Sequence, residues 1–212
     1  MASRDPAADD VDFFPTPPWG ARAGGELVQR IDPGPWVAWE PACGPGVMAH
    51  GLADYFPILR TSDAYRYGPH QVFDFVRGGD ADAPFVADWI MTNPPFSHVE
   101  AFLHNALRRA RRGVALLCRL QFLETIGRHE LIYGRYPMTA QATFAERLPM
   151  GKGRYDPDLS TASAYAWHVF YKRARQRRFC GTNAWMGVHF EPGTRARLTR
   201  PSDRAFAVDG AC

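Results

Sequence analysis

"PWVAWEPACGPG", Pro35 to Gly46, is the stretch that decides the fold. Trp36 to Trp39 make a short apolar run suited to a buried strand, and it ends abruptly at Glu40 in a turn built from Pro41, Gly44, Pro45 and Gly46. A helix is predicted to follow, over about Val47 to Tyr55. Glycines in such a turn let a ligand approach the backbone, so the unit reads either as a binding element or as a plain tight turn. It is not a phosphate loop, because no Lys-Ser or Lys-Thr follows. It also departs from G-x-G-x-x-G, since Ala49 takes the third glycine position.

The same alternation continues along the chain. "ILRTSDAY" is a second strand ending at Ser62-Asp63, "HQVFDFV" a short third, and "FVADWIMTNPPF" a fourth. "HVEAFLHNALRRARRG" places Val99, Phe102, Leu103, Ala106 and Leu107 at helical spacing, and "VALLCRL" is a further buried strand. Upstream, "FFPTPPWGARAGGELVQRI" opens with a rigid proline turn and continues as a helix that Gly24 and Gly25 weaken. Strands alternating with helices predict an α/β fold with a mainly parallel sheet and right-handed crossovers. The last third reads as a hairpin, whose second run "AYAWHVFYK" suits a sheet edge.

At 212 residues the chain is long enough for one full core. Residues 1 to 12 are small, acidic and proline-bearing, and are expected to be disordered. The domain is expected over 13–190, with a polar tail over 191–212. No run approaches a membrane span and the start lacks the regions of a signal peptide, so a soluble, cytoplasmic protein is expected. Cys43, Cys118, Cys180 and Cys212 lack metal or disulfide spacing and read as reduced structural thiols. The seven histidines show no ligand pattern, and no metal is assigned. The net charge of +3 does not identify a nucleic-acid binder, although arginines cluster at "LRRARRG" and "YKRARQRR".

Ligands in parallel α/β sheets bind beyond the carboxyl ends of the strands. Glu40 to Gly46, Asp63, Asp74 and Asn93 to Phe96 all fall there. Asp63 suits the two hydroxyls of a ribose, or serves as a turn or helix cap. "TNPPF" carries the sharpest chemistry. An adenine or cytosine amino nitrogen is a poor nucleophile because its lone pair is delocalised into the ring. The Asn93 side-chain oxygen and the Pro94 carbonyl can each accept one N–H and turn that lone pair toward an electrophile. Pro95 helps stiffen the turn, and Phe96 offers a face for a planar base; the alternative is an ordinary strand-ending turn whose Phe folds back to the core.

These segments together resemble a class I S-adenosylmethionine-dependent methyltransferase of the group that methylates adenine in DNA. "FFPTPPWGARA" resembles the segment over the methionine end of the cofactor, "EPACGPG" the glycine-rich motif, "SDAY" the ribose-binding acid, "FDFV" the adenine-holding pair and "TNPPF" the catalytic motif. Their order is similar to the gamma arrangement, and "GRYDPDLSTASAYAW" resembles small phage and prophage methyltransferases. The resemblance implies a Rossmann-like, mostly parallel seven-stranded sheet with helices on both faces and an antiparallel C-terminal hairpin at its edge. It implies S-adenosyl-L-methionine as cofactor, held by Phe14, Thr16, Pro17, Glu40, Pro41, Ala42, Gly44, Gly46, Asp63, Ala64, Asp74, Phe75 and Asn93. It makes Asn93, Pro94, Pro95 and Phe96 the catalytic turn, with transfer to the 6-amino group of adenine in DNA. RNA or a protein glutamine is the alternative substrate, and a non-catalytic nucleic-acid module the alternative class. No segment is long enough for a separate target-recognition domain. Either specificity is low, or loop and helix residues such as Lys152, Arg154, Arg108 and Arg111 contact the nucleic acid, or a second copy of the chain or a recognition partner supplies recognition.

Overall fold

The computed structural model describes residues 12–173, 177–179 and 182–207. The expectation of disorder over residues 1–11, and the readings of Cys180, Cys212 and part of "YKRARQRR", lie outside them. Strands β1 (Val37–Glu40), β2 (Ile58–Asp63), β3 (Gln71–Val72), β4 (Trp89–Thr92), β5 (Gly113–Arg119), β6 (Ala140–Phe144) and β7 (Tyr165–Tyr171) share one sheet. β8 (Arg177–Phe179) and β9 (Thr182–Ala184) form a separate antiparallel ribbon, and β10 (Met186–Phe190) rejoins the main sheet. The order is β10-β6-β7-β5-β4-β1-β2-β3. Every pairing in it is parallel except those of β7 with β5 and β6.

Two details of the sequence reading need correction. The sheet has eight strands rather than seven, because β10 adds in parallel outside β6. The antiparallel strand is internal rather than at the edge. β7 lies between β5 and β6, and Ala166, Trp167, His168 and Val169 are each 0% exposed. Aromatic and β-branched residues fit any pleated surface, so composition alone did not separate an edge from a doubly covered strand.

Side chains alternate across the sheet and recruit helices to both faces. Trp89, Met91, Ala115 and Leu117 face one layer with Trp19, Leu27 and Val28 of α1 (Pro18–Ile31) and Met48 and Leu52 of α2 (Val47–Leu52). Ile90, Val114 and Leu116 face the other, against Val99, Phe102 and Leu103 of α3 (Val99–Arg109). Gly24 lies inside α1, at a propensity cost of about 1 kcal/mol. A Cβ there would sit 2.3 Å from Cε2 of Trp167, whose Nε1 donates to the Gly20 carbonyl at 2.9 Å. The glycine that weakens the helix locally is what lets it lie on β7.

After β5 come the short α4 (Ile126–His129) and a wide turn over Glu130–Arg135. The segment read as a polar tail is structured over much of its length. α5 (Thr194–Leu198) packs on α1, and a 3-10 turn over Pro201–Phe206 carries Asp203 to the Arg22 guanidinium. No described helix is long and apolar enough to cross a membrane.

His168 is fully buried in β7, with Nδ1 unpartnered among the described residues, and burial pushes its pKa down to about 4. The unfolded chain therefore binds this proton more readily. The stability tied to the neutral ring is present above about pH 6.5 and is lost as pH falls toward 4. Glu40, raised by burial, acts with the opposite sign in acid, so the comparison must be between proteins. In denaturant titrations, His168→Leu is expected to lose about 2–3 kcal/mol less than the parent between pH 7 and 4.5. Parallel pH profiles would contradict this.

Candidate active site

Parallel strands deliver their ends to one side of the sheet. β1 ends at Glu40, β2 at Asp63, and β4 runs into Asn93-Pro94-Pro95-Phe96. With the N-terminal residues Asp12 to Thr16 these ends enclose one cavity, bordered by Phe14, Thr16, Glu40, Pro41, Ala42, Asp63, Ala64, Asp74, Phe75 and all four residues of the Asn-Pro-Pro-Phe turn.

Pro17, Gly44 and Gly46, expected with them, stand behind the lining. The Pro17 carbonyl accepts the Gly20 and Ala21 N–H groups at the start of α1. Gly46, at φ 92°, begins α2. Gly44, at φ 51°, lies under Phe13, where a Cβ would come within 2.6 Å of the ring.

Glu40 is 1% exposed and, among the described residues, its Oε2 has no partner. Burial, and then the nearby charge of Asp63, hold its carboxyl well above the usual range. Asp63 is also raised by burial, moderated by N–H bonds from Tyr65 to Oδ1 at 3.0 Å and from Gly44 to Oδ2 at 2.9 Å. Asp63 thus fixes the glycine turn, and each oxygen keeps a further lone pair. Two carboxyls sharing a desolvated setting make a place that favours a cation.

The Asn93 amide has a determined orientation. Its Nδ2 donates to the Phe14 carbonyl at 2.7 Å, and a carbonyl can only accept, so Oδ1 points away. Among the described residues that Oδ1 has no donor, and neither does the buried Thr16 Oγ1. Most buried polar atoms in folded proteins are paired, and among the described residues three that are not, Thr16 Oγ1, Glu40 Oε2 and Asn93 Oδ1, belong to residues bordering this one cavity.

The N-terminal segment covers the cavity and is pinned from three sides. Asp12 accepts the Ser97 N–H at 3.2 Å, the Phe13 carbonyl accepts the Gly153 N–H at 2.8 Å, and the Phe13 ring stacks on Tyr67 at 5.5 Å. The Phe96 ring lies 5.1 Å from Phe14.

The two central residues of "FDFV" border the cavity and are also held from within the fold. Asp74 Oδ1 accepts the N–H groups of Val76 and Arg77 at 3.0 and 2.9 Å, closing a turn. Phe75 is 1% exposed, and its ring meets Trp39 edge-on at 5.1 Å in the core. Its backbone, rather than its ring, is the held feature, because its carbonyl accepts from Asn105 at 3.0 Å and Arg109 at 2.7 Å. Sequence reasoning missed both donors. The available signal was a polar Asn105 among the apolar residues of α3.

The four basic candidates divide. Gly153 bonds to Phe13, which puts Lys152 and Arg154 on the loop beside the N-terminal segment; Arg154 lies 3.6 Å from Asp156. Arg108 lies in the last turn of α3 and Arg111 just beyond its end, about 15 Å along the helix from the catalytic turn. Arg108 is paired there with Asp80 at 2.8 Å. The structure does not bring these two to the site. Among the described residues no group of His, Cys, Asp and Glu is arranged to hold a metal ion.

No protein-family profile matches the chain, and no curated protein matches it. Solved structures do. A presumptive RNA methyltransferase from Pyrococcus horikoshii aligns with TM-score 0.55 and 14% identity over 81% of this chain and 93% of its own. The type I restriction-modification methyltransferase subunit of Streptococcus thermophilus aligns with TM-score 0.57 and 11% identity over 86% of this chain and 51% of its own. The modification subunit of a presumptive type I restriction enzyme from Vibrio vulnificus aligns with TM-score 0.52 and 13% identity over 94% of this chain and 52% of its own. The chain thus spans about half the length of these two subunits. Strand order, the one antiparallel strand β7 within the main sheet and these likenesses agree: the chain has the Rossmann-like fold of the class I S-adenosylmethionine-dependent methyltransferases.

Proposed function

We propose that the protein transfers the methyl group of S-adenosylmethionine to the exocyclic 6-amino group of adenine in DNA. The observation that carries this reading is the set of three buried, unpartnered oxygens, on Thr16, Glu40 and Asn93, around one cavity at the strand ends. Each suits a group the reactants bring. Glu40 regains its charge beside the cofactor's ammonium, because a nearby cation offsets the burial and the repulsion from Asp63. Asp63 uses its remaining lone pairs for ribose hydroxyls.

When bound, the cofactor supplies an electrophilic methyl group on a positively charged sulfur. The chain's own residues prepare the nucleophile. Asn93 Oδ1 and the Pro94 carbonyl accept the two N–H bonds of the target amine and concentrate its lone pair on nitrogen. Because Phe14 already fixes the amide, no reorganisation is needed at the moment of reaction. Phe96 supports the base by stacking. A base inside a duplex must first leave the stack to reach this turn.

Titration calorimetry tests the cofactor half directly. Glu40→Gln keeps the shape and removes the charge, and S-adenosylmethionine should bind about 10- to 100-fold more weakly, as expected for a lost charge-assisted hydrogen bond. An unchanged affinity in the folded variant would remove Glu40 from the cofactor site.

A further inference from the structure

On the proposed reading, Phe96 is the ring that receives the target base, and a cation already lies against it. The guanidinium carbon of Arg119 is 4.2 Å from the Phe96 ring centre and 5.8 Å from that of Phe14. Its Nε reaches the Tyr165 hydroxyl at 3.4 Å. The position follows from the sheet. β5 pairs with β4 so that Leu116 lies opposite Thr92, and three residues later Arg119 ends β5 beside the catalytic turn.

Arg119 lies over its rings without a described carboxylate partner. Arg60 and Arg135 also lie over rings without one, but neither borders the strand-end cavity; Arg119 combines that lack with a place on the Phe96 ring, which does. Arg22, Arg109 and Arg112 close on Asp203, Asp80 and Asp32. No described carboxylate lies within 4.0 Å of Arg119. An aromatic face and a neutral phenol hold the group without satisfying its charge. Guanidinium is also planar, so it fills the kind of space a base would take and remains suited to bind phosphate.

We infer that Arg119 is a target-positioning residue with two positions. In the free protein it occupies the base's place on Phe96. When a nucleotide enters, it yields that face and pairs with a phosphate flanking the extruded adenosine. This inference rests on the proposed reaction and narrows its substrate class, because a glutamine side chain brings no anion to pair.

The test reads binding, so it does not depend on turnover. A fluorescent single-stranded pentanucleotide with one central adenosine is titrated with protein and S-adenosylhomocysteine, then replaced by the same oligomer with uncharged methylphosphonates at the two phosphates flanking that adenosine. For the parent protein, removing those charges should weaken binding about tenfold or more. Arg119→Ala should bind the charged oligomer about tenfold more weakly, and neutralisation should then cost it less than about twofold. Arg119→Lys should recover part of the dependence, with cofactor affinity and thermal midpoint close to the parent's in both variants. An equal cost of neutralisation in parent and Arg119→Ala overturns the assignment, as does a parent that binds neither oligomer. The phosphate dependence with no methyl transfer would count against the reaction and leave Arg119's role standing. Transfer without the dependence would do the reverse.

Discussion

Asn93→Ala should lower methyl transfer about 10³-fold while the affinity for S-adenosylmethionine changes by less than about tenfold, the loss typical of deleting one preorganised polar contact to a reacting group. Asn93 borders the cavity, and among the described residues its buried Oδ1 has no hydrogen-bond partner. Removing it therefore takes an acceptor from the amine. The variant also loses the 2.7 Å bond to the Phe14 carbonyl, which costs about 1 kcal/mol of order in the covering segment. Asn93→Asp separates the two effects. It keeps the acceptor and gives up the donor, so it should retain more turnover than Asn93→Ala. Equal losses of transfer and cofactor affinity in Asn93→Ala would make the residue part of the cofactor site alone.

The second large effect concerns stability. Arg22 is 1% exposed and donates to both oxygens of Asp203 at 2.8 and 2.9 Å, to the Leu198 carbonyl at 2.9 Å and to Asp54 at 2.6 Å. Asp203→Ala leaves that guanidinium buried with two of these four hydrogen bonds gone. The expected cost is about 3–5 kcal/mol, a fall of roughly 10 °C in thermal midpoint for a domain of this size. The double replacement Arg22→Met with Asp203→Leu should recover much of the loss, because an apolar pair carries no desolvation cost. A midpoint unchanged in Asp203→Ala would show that the C-terminal turn contributes nothing to the core.

How much of this was legible depended on how local the determinant was. The unit from β1 through the glycine turn to α2 could be read directly, because an apolar run, a proline-glycine turn and a helix start are written in consecutive residues. The strand-end residues Glu40, Asp63 and Asn93 followed from the same pattern, and the structure brings them to one cavity. What depended on distant partners could not be read. β7 has the composition of an edge strand, yet β6 and β10 both lie outside it. β10 itself is short, contains Gly187 and is mostly exposed, so it gave no periodic signal. Arg22 looks like an ordinary helix arginine until Asp203 arrives 181 positions later. Phe75 kept its place beside the cavity, but its ring was claimed by Trp39, a choice made by packing rather than by motif.

The central claim is the amine chosen for methylation. Tritiated S-adenosylmethionine is incubated with the protein and, separately, duplex DNA, single-stranded DNA and bulk RNA, and the labelled polymer is digested to nucleosides. The account predicts label in DNA as 6-methyldeoxyadenosine, lost with Asn93→Ala. Label confined to RNA, or no labelled nucleoside from a protein shown to bind the cofactor, would contradict it.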